Sequence, residues 1–192
     1  VILRKDGGLM YKVNPYRPGA GTSPLYLAGR EVDENEVNGM FEALVNKVPV
    51  SSVIYSGLRG VGKTVLLNRF QKIAEEKSIF CKYIEVETRQ DFISQIVACS
   101  QAFLREVSSK EKVKNLLSKA LDALKTLVIS FDVKNTTFTV SSQERELYTS
   151  TSLTQSLTDV FVYMGQTALE TDTPICFFID EIQYMKEEEL GS

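Results

Sequence analysis

Directly after the short β-branched run Val53-Ile54-Tyr55 the chain reads Gly57-Leu58-Arg59-Gly60-Val61-Gly62-Lys63-Thr64, and an amphipathic stretch follows. This matches G-x-x-x-x-G-K-[ST], a pattern whose residue types suit a polyphosphate. Glycines let the backbone curl so that its N–H groups point inward around phosphate oxygens, and a helix starting near Lys63 adds the positive end of its dipole. Lys63 would reach the β and γ phosphates as a point charge, while the Thr64 hydroxyl would ligate Mg2+. Leu58, Arg59, Val61 and Val65 complete the expected phosphate-binding set. A second constellation lies far downstream, where the apolar run Ile175-Cys176-Phe177-Phe178-Ile179 ends in Asp180-Glu181. At the tip of such a strand Asp180 can hold the hydration shell of Mg2+. Glu181, pointing the other way, can polarise a water against the γ phosphate. Expected catalytic residues are therefore Lys63 and Glu181, and expected metal-binding residues Thr64 and Asp180.

Composition excludes several other chemistries. There is no histidine, which removes Ser-His and Cys-His catalysis and every histidine metal site within this sequence. The three cysteines, Cys81, Cys99 and Cys176, are odd in number and sit in apolar stretches, so they read as reduced core residues of a cytoplasmic protein. Residues 175–179 are the longest strongly apolar run, far short of the roughly 18 residues that a membrane-spanning helix needs. Leu3-Arg4-Lys5-Asp6 is polar where a signal peptide would be apolar. With 192 residues, 43% hydrophobic and 24% charged, and a net charge of -3, the chain can build a real core. That small acidic balance also argues against a surface that coats nucleic acid.

The elements that must hold the two motifs follow from periodicity. Pro15, Pro18 and Pro24 with Gly19 and Gly21 make residues 1–32 an extended arm. Val37, Met40, Phe41, Leu44, Val45 and Val48 keep a 3.6-residue period from a capping pair at Asp33 and Glu36, and Pro49 stops that helix. Val53-Ile54-Tyr55 reads as a buried parallel strand before the loop. Leu66, Leu67, Phe70, Ile73 and Ala74 form a helical stripe, and residues 79–86 a second strand. Thr88 with Asp91 starts a long helix through Leu104. Another helix, from about Lys110 to Lys125, has an apolar face and a basic one. Residues 127–133 and 136–140 are β-rich runs separated by Lys134-Asn135 and read as a projecting hairpin. Leu153, Leu157, Val160, Phe161, Met164 and Ala168 return to the helical period.

Three segments together resemble the AAA+ and STAND-like P-loop ATPases, in particular a bacterial and archaeal group related to origin-recognition initiator ATPases. They are residues 14–21 leading into Leu27-Ala28-Gly29-Arg30-Glu31, then residues 57–64, then Phe178-Ile179-Asp180-Glu181-Ile182-Gln183. The resemblance implies an α/β fold, a parallel sheet with helices on both faces, and ATP or ADP with Mg2+ at the carboxyl ends of the strands. It also implies that the arm at 1–32 contacts nucleotide, with Gly29 and Arg30 against adenine and ribose, ahead of a core at 33–192. Against that pattern the span from Lys63 to Asp180 is long, so residues of about 108–150 read as an insertion. The sequence given ends soon after the acidic strand, before any lid, sensor strand or arginine finger, so weak hydrolysis coupled to a conformational switch is expected. A guanine site finds no support, because Asn46-Lys47 is followed by Val48-Pro49 and precedes the loop. Expected partners are an adenine nucleotide and a protein. Lys110, Lys112, Lys114, Lys119 and Lys125 raise DNA as a further partner. A nucleotide-gated interaction scaffold without turnover is the alternative to an ATPase.

Overall fold

The computed structural model describes residues 2–3, 9–10, 29–110, 113–131, 133 and 152–185. Within them the chain forms β1 (Ile2–Leu3), β2 (Leu9–Met10), α1 (Glu31–Val45), α2 (Lys63–Glu76), β3 (Phe80–Glu85) and α3 (Arg89–Val107). These are followed by α4 (Lys114–Ser130), α5 (Leu153–Thr171) and β4 (Ile175–Asp180). β3 and β4 pair in parallel, from Phe80 opposite Ile175 to Glu85 opposite Asp180. Parallel neighbours need a long crossover, which α3, α4 and α5 supply.

Alternation along these two strands divides the core in two. Phe80, Ile84, Ile175, Phe177 and Ile179 pack with α3, α4 and α5, whereas Cys81, Tyr83, Cys176 and Phe178 join the residues beneath α1 and α2. Helices thus cover both faces of the parallel pair, as the sequence led us to expect. On the α1/α2 side, α2 presents Leu66, Phe70, Ile73 and Ala74, all buried, and Phe41 of α1 meets Phe178 edge-on at 6.3 Å. Arg69 reaches Glu34 at 3.3 Å and Lys77 reaches Glu42 at 3.3 Å, so α1 and α2 are also joined by ion pairs. The three cysteines are free thiols and half-buried. Among the described residues no helix is long and apolar enough to cross a membrane.

Several elements depart from expectation, each for a physical reason. α1 starts at Glu31, so Asp33 lies in its first turn, where it takes a 3.0 Å bond from Arg30 instead of capping the helix. Glu31, Asp33 and Glu34 there complement the helix dipole, and this stands in for the missing side-chain cap. Residues 53–55 form no strand. Val53 and Ile54 are exposed and have no ladder partner among the described residues, and β propensity without a partner does not make a strand. Within the expected extended arm, residues 2–3 and 9–10 pair as the two-stranded antiparallel ladder of β1 and β2.

Most tellingly, residues 127–130 of the first expected hairpin strand, 127–133, are the last part of α4. Ala120, Ala123, Leu124, Leu127 and Val128 are all buried at helical spacing, so packing of one continuous stripe overrides the β-branched composition. α4 lies against α3 and α5 within the larger core and does not project from it. The second strand, 136–140, lies outside the described residues. So do Lys112 and most of the arm.

Leu127 is fully buried and Leu121 is 40% exposed. Leu127→Ala should therefore cost about 2–5 kcal/mol in urea unfolding, and Leu121→Ala under about 1 kcal/mol. Equal costs would be the mark of a hairpin in which residue 127 faces solvent.

Candidate functional site

The loop at 57–64 owes its shape to two left-handed glycines, Gly60 at φ +85° and Gly62 at φ +86°, of which Gly62 caps α2. A side chain at either position would be strained. Gly57 answers a second demand, since a Cβ there would lie 3.3 Å from Val61 Cγ2. α2 begins at Lys63, so its first turn carries Lys63, Thr64 and the half-buried Val65, while Leu58, Arg59 and Val61 are exposed. The Lys63 ammonium donates to the carbonyls of Gly57 at 2.8 Å and Leu58 at 3.0 Å. A cation is thus held at the loop by neutral acceptors, which a phosphate oxygen would outcompete by charge.

Thr64 points at the acidic strand. Its hydroxyl donates to Asp180 Oδ2 at 2.6 Å, across 116 residues of sequence. Asp180 is 7% exposed and its carboxylate takes two more bonds, from the Tyr83 phenol to Oδ2 at 2.6 Å and from the Glu181 backbone N–H to Oδ1 at 2.9 Å. Burial works to raise the pKa of this acid. The bonds from Thr64, Tyr83 and the Glu181 N–H, with the Lys63 charge, outweigh burial and hold it below the ordinary value of 3.8. An ionised carboxylate beside a hydroxyl that donates to it leaves oxygen lone pairs for a hard cation. Among the described residues no cluster of three or more Asp, Glu, Cys or His could hold a metal alone. The donor set therefore fits Mg2+ arriving with a phosphate ligand and water, the usual mode for this ion, and not a site closed by protein.

Glu181 follows β4 in a left-handed conformation, φ 57°, and its carboxylate accepts the Gln183 amide. Its backbone thus turns away just where Asp180 is anchored. Arg30, expected at the base side, has partners of its own. Its guanidinium donates to the Val61 carbonyl at 3.1 Å and to Asp33 at 3.0 Å, so it braces the loop from the start of α1. Gly29, at φ +77°, provides the turn just before it. Thr64 meets Asp180 directly, Lys63 precedes Thr64 and acts on Asp180 by its charge, and Glu181 is adjacent in the chain. The sequence reading missed Tyr83. A tyrosine on the core-facing side of a strand needs a partner for its hydroxyl, and that was the available signal.

Because the folded pKa of Asp180 is depressed, its contribution to stability is present above the ordinary carboxylate value and lost as pH falls through the folded one. In denaturant titrations the stability difference between the wild type and Asp180→Asn should stay constant from about pH 7 to about pH 5 and shrink below about pH 4. A difference that grew on acidification would contradict the depressed pKa.

The loop, the acid that meets it and the helix carrying Arg30 all lie inside the segment to which comparison with known families assigns one identity, the AAA ATPase domain, matched over residues 26–191. Searches of curated proteins and of solved structures gave no match. With the family matched along most of its length, and with an α/β fold and a phosphate-type loop to agree, the chain belongs to the AAA ATPase domain family.

Proposed function

We propose that this domain binds ATP with Mg2+ at residues 57–64 and hydrolyses it slowly, using the change of ligand as a conformational switch. The single observation that carries the reading is the 2.6 Å bond from Thr64 to Asp180, which joins the phosphate-type loop to the acidic strand. In this reading residues 1–32 form an arm beside the nucleotide and 33–192 the core, with adenine and ribose near Gly29 and Arg30. Lys63 leaves the Gly57 and Leu58 carbonyls to neutralise the β and γ phosphates. Bound Mg2+ supplies charge neutralisation across those phosphates. Thr64 and Asp180 hold and orient that end of the ligand. Glu181 takes a proton from water as the water oxygen bonds to the γ phosphorus, and the bond from that phosphorus to the β–γ bridging oxygen breaks, releasing ADP and phosphate.

Two contacts support the slow turnover and the switch. Lys63 is committed to loop carbonyls and must exchange partners in every cycle. Arg30 ties the Val61 carbonyl to Asp33, so a displaced loop pulls on the first turn of α1. DNA binding draws less support, since Lys110 donates to the Thr171 carbonyl and to Thr173 Oγ1 at the end of α5.

Thermal unfolding with Mg2+ plus ATP, ADP or GTP tests the reading. At about 100 times its Kd an adenine nucleotide adds about 2.7 kcal/mol of apparent stability to the wild type, and Lys63→Ala loses most of it. An undiminished shift in Lys63→Ala would overturn the site, and an equal shift with GTP would overturn the adenine assignment. Glu181→Gln should lower the turnover rate about 100-fold or more while ATP still binds. Intact turnover in that variant would remove Glu181 from the mechanism. Absence of turnover in the wild type, with binding intact, would favour a nucleotide-gated scaffold.

A further inference from the structure

Asp180 is the point where three elements meet, and one of its partners belongs to no motif. Tyr83 stands on β3 opposite Phe178, two residues before Asp180 on the same face of β4. Its ring lies in the α1/α2 side of the core, and its phenol reaches past the strand to the carboxylate. Oδ2 of Asp180 thereby accepts two hydroxyls, Thr64 and Tyr83, each at 2.6 Å, while Oδ1 accepts the Glu181 N–H at 2.9 Å. A carboxylate oxygen offers about two lone-pair sites. Oδ2 is filled and Oδ1 keeps one site open.

The consequence reaches Thr64 as well. A hydroxyl has one proton, and the Thr64 proton is spent on Asp180, so both of its lone pairs stay available to a cation. This holds only while Asp180 keeps Oδ2 turned towards Thr64. Rotation of the carboxylate about its Cβ–Cγ bond would break that arrangement, and the phenol of Tyr83 resists it from the neighbouring strand. Oxygen–oxygen bonds to a charged acceptor are the strong class of hydrogen bond, and both of these have the short length expected of it.

We propose that Tyr83 is a positioning residue: by fixing the Asp180 carboxylate it sets the preference of the site for a Mg2+-nucleotide over the same nucleotide without metal. The proposal rests on the ATP-binding reading above and adds to it the residue that tunes the metal dependence. Tyr83 touches neither nucleotide nor metal in this account. It acts through Asp180 alone.

Calorimetric titration of the full chain with ADP, once in excess Mg2+ and once in EDTA, separates this role from a merely structural one. The wild type should bind ADP more tightly with Mg2+. In Tyr83→Phe the affinity in EDTA should stay within about twofold of wild type, and the advantage conferred by Mg2+ should fall about tenfold, the scale of one hydrogen bond to a charged group. In an Asp180→Asn background, where the Mg2+ advantage is already lost, Tyr83→Phe should bring no further loss. Tyr83→Met, a second replacement without a hydroxyl, gives the same comparison should Tyr83→Phe not fold. An unchanged Mg2+ advantage in the hydroxyl-free variant overturns the proposal while the ATP-binding reading stands. Equal losses with and without metal also overturn it, since they mark a general packing role. If the wild type binds ADP under neither condition, the ATP-binding reading fails and the proposal falls with it.

Discussion

A charged carboxylate buried at the end of a strand is expensive unless donors surround it, and Asp180 imposes that demand on the whole domain. Its donors come from three places in the chain: the first turn of α2, the middle of β3 and the backbone just after β4. To deliver them, β3 must lie parallel to β4 in the observed register, and α2 must begin beside the tip of β4. The second condition depends on Gly62, whose left-handed φ lets the loop turn straight into the helix, so that Thr64 falls in the first turn. A register shift of one residue would turn Tyr83 to the opposite face and leave Asp180 with one hydroxyl fewer.

What keeps α2 in place can be decided by magnitude. Its ion pairs to α1, Arg69 with Glu34 and Lys77 with Glu42, are at 3.3 Å and partly exposed, a class worth about 0–1 kcal/mol each. Its apolar stripe is another matter. Leu66, Phe70, Ile73 and Ala74 are 0–4% exposed, and burying a side chain of the larger kinds is worth about 1.5–3 kcal/mol each. The stripe therefore fixes α2 on the sheet, and the ion pairs add little to it. The precision of the Thr64–Asp180 contact comes from apolar packing spread over the next three turns of α2.

The parts of the site legible in the sequence are those whose chemistry fixes residue types at short spacing. Gly57 through Thr64 and the apolar run ending in Asp180 are of this kind, and both are found where expected. What was misread depends on partners distant in sequence. Val128 and Ile129 are β-branched and read as part of a strand, but Leu127 and Val128 complete the buried stripe of α4, a fact about packing that composition does not hold. Val53 and Ile54 have the residue types of a strand and no ladder partner among the described residues. Tyr83 is not singled out in the sequence, because its role depends on which residue β4 sets beside it.

Arg30 shows how the same contact network bears on a ligand-driven switch. Its bond to the Val61 carbonyl is exposed, at 3.1 Å, and weak by itself. The second bond, to Asp33 within the first turn of α1, makes the guanidinium a strut with both ends attached. Lys63 meanwhile holds the other side of the loop through Gly57 and Leu58. In the ATP-binding reading, a phosphate that draws Lys63 away leaves the loop with its Arg30 tie, and a shift of the loop is then passed towards α1. Asp180 is exempt from this exchange, because its two hydroxyl donors lie on α2 and β3, both packed against apolar core. In that reading the Lys63 side of the site yields while the Asp180 side stays fixed, and a difference of that kind would let the ligand bias one arrangement over another.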